Sequence, residues 1–111
     1  MSAFNTVRAS AECPRCHSHV EIKVQFKYGD TRQYEYGLGD DLRWGGNDIG
    51  IPGKSSIVVD GVAETPCPKC GFDDEWEFYV FVERDKISRV VQADGSYDFS
   101  AMDQAHLVLQ E

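Results

Sequence analysis

A chain of 111 residues that is 41% apolar has the material for one core, so a single domain spanning 1–111 is expected, at a size where an added crosslink matters. No apolar run approaches the roughly 18–20 residues of a membrane span, and the N-terminal residues hold no signal-peptide core, which predicts a cytoplasmic protein without membrane contact. Nineteen acidic residues against 11 basic ones, a net charge of −8, argue against DNA or RNA as partners, because phosphate contacts require cations.

The first marked feature in the chain is Cys13-Pro14-Arg15-Cys16-His17. Cys-x-x-Cys on a tight turn aims both sulfurs at one centre, and Pro14 fixes φ just after the first of them. The residue after the second sulfur needs a left-handed backbone, and histidine is among the few non-glycine residues that tolerate it. His17 and His19 are read as surface residues beside the pair.

Strict alternation follows, with Val20, Ile22, Val24, Phe26 and Tyr28 on one face and Glu21, Lys23, Gln25 and Lys27 on the other, which predicts a half-buried strand. Gly29-Asp30-Thr31-Arg32 reads as a turn, and Gln33–Tyr36 resumes the alternation, so a hairpin is expected between the two segments. The stretch from Tyr36 to Gly53 is rich in glycine and aspartate, yet Leu38, Leu42, Trp44, Ile49 and Ile51 are too apolar for a linker. A structured loop is expected. Its glycines lack the register of a phosphate-binding loop, and its aspartates lack that of a calcium loop.

Ser56 to Asp60 is a third strand, expected to end at Gly61. The second copy of the cysteine pattern follows as Cys67-Pro68-Lys69-Cys70-Gly71, with glycine now at the position of positive φ. Asp73, Asp74, Glu75 and Glu77 form the densest acidic cluster. Trp76 to Glu83 places Trp76, Phe78, Val80 and Val82 on one face and Tyr79 and Phe81 on the other, as in a central strand covered on both sides. Arg84-Asp85-Lys86 turns the chain into a partner strand at Ile87–Gln92, and Asp94-Gly95 marks a further turn. Ser100 to Glu111 permits a short helix capped by Ser100, while its end, HLVLQ, equally suits an edge strand.

Cys13, Cys16, Cys67 and Cys70 are the only cysteines, and in a reducing compartment a metal site outranks redox chemistry or disulfides. Two such turns complete a sulfur tetrahedron, which suits one structural Zn2+ ion. The expected fold is mainly β, an antiparallel sheet with a four-cysteine site of zinc-ribbon type and at most one short C-terminal helix. The paired Cys-Pro-x-Cys motifs resemble the zinc-ribbon knuckles of many small bacterial and archaeal proteins, a likeness of about ten residues that implies a site and no function.

No nucleophile–base arrangement and no open metal site is proposed, so an enzyme is not expected. The negative charge, deepened by four thiolates around a divalent ion, attracts basic proteins. The segment FKYGDTRQYEYGLGDDLRWGGNDIG is similar to small bacterial proteins from toxin neighbourhoods. That resemblance implies an immunity protein or inhibitor covering a toxin domain; a zinc-ribbon adaptor and a nucleic-acid-binding ribbon are the alternatives. The candidate partner surface combines Asp40, Asp41, Trp44 and Asp48 of the loop with Asp73, Asp74 and Glu75.

Overall fold

The computed structural model describes residues 4–46, 48–72, 76–97, 99 and 106–110, and among these every regular element is a strand. In chain order they are β1 (Asn5–Glu12), β2 (His19–Phe26), β3 (Gly29–Asp30), β4 (Glu35–Tyr36), β5 (Asp48–Ile49), β6 (Ser56–Ala63), β7 (Glu77–Glu83), β8 (Lys86–Gln92) and β9 (His106–Gln110). One sheet runs β4-β1-β2-β6-β7-β8 with β9 also on β6, and β3 pairs with β5 apart from it. All pairings are antiparallel except β1 with β4, so the sheet is mixed and mostly antiparallel. Among the described residues no helix is long and apolar enough to cross a membrane.

The alternation read in the sequence becomes a two-sided core. Val20, Ile22, Val24, Phe26 and Tyr28 join Ile57, Val59, Trp76, Phe78, Val80 and Val82 in the main cluster. On the opposite face Val58, Tyr79 and Phe81 form a second cluster under Tyr97, Phe99 and Leu107. β7 is therefore buried on both faces, as its unbroken apolar run requires. Arg84 and Asp85, with φ of 50° and 65°, form the tight turn into β8; left-handed residues match the right-handed twist of the flanking strands.

Three expectations are corrected, and one left open between two readings is decided. The segment around Tyr36 does not return beside β2: β4 lies parallel to β1, with Thr6 opposite Glu35 and Val7 opposite Tyr36. The reason is that β2's edge is already taken by β1, an N-terminal strand whose alternation rests on small residues such as Ala9 and Ala11. Asn5 secures this arrangement from full burial, donating to the carbonyls of Tyr28 (3.2 Å) and Asp30 (3.1 Å) and accepting from the Tyr34 N–H (3.1 Å). The segment expected as a turn at 29–32 contains the short strand β3, paired to β5.

β6 does not stop at Gly61 but runs on to Ala63. A side chain at Gly61 would sit 2.7 Å from Val24 Cγ1 and 3.3 Å from Val80 Cγ2, so glycine serves close strand packing here instead of a turn. At the C-terminus, residues 106–110 form the strand β9, the second of the two readings; the proposed helix start at Ser100 lies outside the described residues.

Candidate metal centre

Each cysteine pair is the tip of a hairpin. The first joins β1 to β2 beyond the Glu12–His19 pair, and the second joins β6 to β7 beyond the Val62–Glu77 pair. Because β2 and β6 are antiparallel neighbours, paired at Val24–Ala63, both tips emerge at the same end of the sheet. Adjacency of two hairpins thus brings together cysteines more than fifty residues apart in the chain.

The two tips have the same local geometry. The N–H of Cys13 donates to the Ser18 carbonyl (3.0 Å) and that of His17 to the Cys13 carbonyl (2.9 Å); Cys67 to Phe72 and Gly71 to Cys67 repeat both bonds at 2.9 Å. His17 (φ 61°) and Gly71 (φ 80°) take the left-handed backbone that the motif demands. The Lys69 N–H points at Cys67 Sγ from 3.4 Å.

The closest sulfur contacts run across the tips, Cys13 to Cys70 at 3.6 Å and Cys16 to Cys67 at 3.8 Å, and all four sulfurs lie within 4.8 Å of one another. These separations are far beyond the ~2.05 Å of a disulfide. A regular tetrahedron with metal–sulfur bonds of about 2.3 Å has edges of about 3.8 Å. The four thiols therefore fit one metal ion. Cys13 and Cys67 are buried, while Cys16 and Cys70 are half-buried toward solvent.

The electrostatics favour thiolates on the outer side. Burial pushes Cys70 up, but hydrogen bonds from the Phe72 backbone, from Arg15 and from the neighbouring thiols outweigh it and hold it down to about 6. Cys16 is also lowered, first by the Ser18 backbone, whereas burial raises Cys13. Arg15 was not expected to matter. It donates to the Cys70 carbonyl on the other tip, and its guanidinium lies 5.9 Å from the centre of the Phe72 ring, tying the two knuckles by a second route. Nothing in CPRCH distinguishes a bridging arginine from a solvated one.

The loop residues expected at a partner surface are placed as follows. Asp40 is exposed and accepts from the Gly37 N–H at 2.7 Å, Asp41 pairs with Lys86 Nζ at 2.8 Å, and Asp48 accepts from the Gly45 N–H at 2.9 Å. Backbone bonds dock the loop on the β7–β8 turn, from Gly39 to Ile87, Ile87 to Asp40 and Leu42 to Asp85. Trp44 is half-buried, its ring packed edge-on against Tyr28 with centroids 5.5 Å apart. The most exposed apolar side chains of this loop are instead Leu38 at 54% and Ile51 at 61%. Asp73, Asp74 and Glu75 lie outside the described residues.

Comparison with known proteins finds no matching family model, no matching curated protein and no matching solved structure.

Proposed function

We propose that this chain is a non-enzymatic, zinc-clamped, acidic protein-binding module. The observation that carries the proposal is the closed set of four sulfurs at Cys13, Cys16, Cys67 and Cys70. Four thiolates fill a tetrahedral shell and leave no ligand position for water or substrate, which is the donor set of a structural zinc ion. Soft sulfur donors also favour zinc over magnesium or calcium. The ion would bridge the β1–β2 and β6–β7 tips and supply folding free energy, since the unfolded chain does not hold the ligands together.

Protein binding is supported by the net charge of −8 and by a hydrogen-bonded loop that exposes Leu38 and Ile51 as well as Asp40 and Asp41. Such a surface combines steering charge with apolar contact area. In its sharpest form the reading is an inhibitor that covers a basic toxin domain inside a cytoplasm.

Metal analysis of protein purified without chelator tests the first half, with about one zinc per chain expected. Co-expression with the product of the neighbouring gene tests the second: relief of its toxicity, with a complex that associates more slowly as salt rises, is the expected result. A toxic neighbour left active and unbound overturns the inhibitor reading. Gel shifts with DNA and RNA at about 150 mM salt should be negative, and submicromolar binding would overturn the charge argument.

A further inference from the structure

β2 and β9 share one edge of β6. β2 pairs with the end of that strand, at Val24–Ala63, Gln25–Val62 and Phe26–Gly61. Continued in register, Tyr28 would fall opposite Val59. The chain instead turns away at Gly29, φ 79°, and β9 enters the space, placing His106 opposite Val59 and Leu107 opposite Val58. His106 stands where Tyr28 would have been, and the two rings meet edge-on with centroids 5.0 Å apart.

Among the described strands β9 pairs with β6 alone, and Leu107 packs on the Val58, Tyr79 and Phe81 cluster. Its side chains are buried only at His106 (7% exposed) and half-buried at Leu107; Val108, Leu109 and Gln110 are exposed. His106 Nδ1 is enclosed, with no hydrogen-bond partner among the described residues. A neutral imidazole can leave Nδ1 as an unpaired acceptor, but a protonated ring must place an N–H and a positive charge there. A buried, unpaired charge is strongly disfavoured.

Among the described residues the surroundings offer that charge no partner. Tyr28 donates its hydroxyl to the Ile51 carbonyl, and burial raises its own pKa, so the phenol stays neutral. Asp85, near that hydroxyl, accepts from the Gly53 N–H. Asp30 pairs with Arg32, Asp48 holds Gly45, and Arg43 lies over the Tyr34 ring. Asp60, next to Val59 in β6, lies on the strand's other face by the alternation of side chains. Burial lowers the value at His106, and none of these groups contributes to it.

We propose that β9 is a proton-released strand: uptake of a proton by His106 frees it from the edge Ser56–Val59 of β6. The direction follows from linkage. The released strand carries a histidine with an ordinary value near 6.5, the docked strand a lowered one, so docking is unaffected above about pH 6.5 and weakens as pH falls toward the lowered value. The docked-to-released ratio should fall by up to about tenfold per pH unit in that window.

Hydrogen exchange of the metal-loaded protein between pH 7.5 and 5.5, corrected for the intrinsic rate, tests this. Protection of peptides covering 106–110 and 56–59 should drop up to about tenfold between pH 6.5 and 5.5, while β1–β2 peptides keep theirs. His106→Phe, which keeps a ring against Tyr28, should abolish the pH dependence, as should His106→Gln. Equal pH dependence in these variants, or a flat wild type, overturns the proposal. So does parallel loosening of the β1–β2 peptides, which assigns the acid response to the cysteine site. Should both variants lose β9 at every pH, an NMR titration of the wild-type imidazole decides: proton uptake coincident with loss of β6–β9 cross-strand contacts supports the switch, and uptake with those contacts intact refutes it.

Discussion

Replacing Cys67 by serine tests the clamp most directly. Cys67 is buried, its sulfur lies 3.8 Å from that of Cys16, and it receives the Lys69 N–H. Serine keeps the shape but supplies a neutral, harder oxygen on a shorter bond, leaving three thiolates around an open position. Structural zinc contributes about 10–16 kcal/mol in small peptides, so a quarter share is about 3–4 kcal/mol. An unsatisfied buried hydroxyl adds about 1–3 kcal/mol. The total, about 4–7 kcal/mol, rivals the whole stability of a domain this size, about 5–15 kcal/mol. At roughly 4 °C or more per kcal/mol, the midpoint should fall by at least about 15 °C. Circular dichroism melts with metal analysis on the same samples provide the measurement, and wild type stripped by a chelator should melt like the mutant. A mutant that keeps the wild-type midpoint and loses its metal would refute the clamp. A wild type free of metal but destabilised by reductant would point to disulfides.

Gly61→Ala should cost about 1–3 kcal/mol in denaturant unfolding, because the new methyl meets Val24 Cγ1 at 2.7 Å and the Gln25 carbonyl at 3.2 Å. Trp44→Ala should cost about 2–3 kcal/mol, less than the 3–5 kcal/mol of a fully buried ring, since Trp44 is only half-buried against Tyr28. An unchanged melt would favour Trp44 as part of the partner surface over a packing role. His17→Gly should stabilise the protein by about 0.5–1 kcal/mol by relieving a φ of 61°, and Gly71→Ala, at φ 80° with open space around its Cβ, should destabilise it by about 1–2 kcal/mol. Midpoints moving oppositely to these signs would show that the knuckle backbone is not what limits the two sites.

The parts legible in the sequence are those governed by neighbours a few residues apart. Alternation from Val20 to Tyr28 and from Trp76 to Glu83 specifies strand and buried face together, because side chains of a strand point to opposite sides with period two. Cys-Pro-x-Cys specifies a turn and the φ of the next residue, so His17 and Gly71 follow from local sterics, and the union of the four cysteines follows from ligand count. What the tertiary structure decided are the choices among equivalent partners. Glu35–Tyr36 suits any strand edge, and it lies along β1 because the first hairpin already occupies β2. Gly61 has the composition of a stop, and only the approach of Val24 and Val80 makes it the middle of a strand. HLVLQ is apolar enough for helix or strand; the edge of β6 left open where the chain turns at Gly29 makes it a strand, since an unpaired run of N–H and C=O groups is satisfied by pairing. The contact of the half-buried Trp44 with Tyr28 is likewise a tertiary choice, between residues that no local pattern relates.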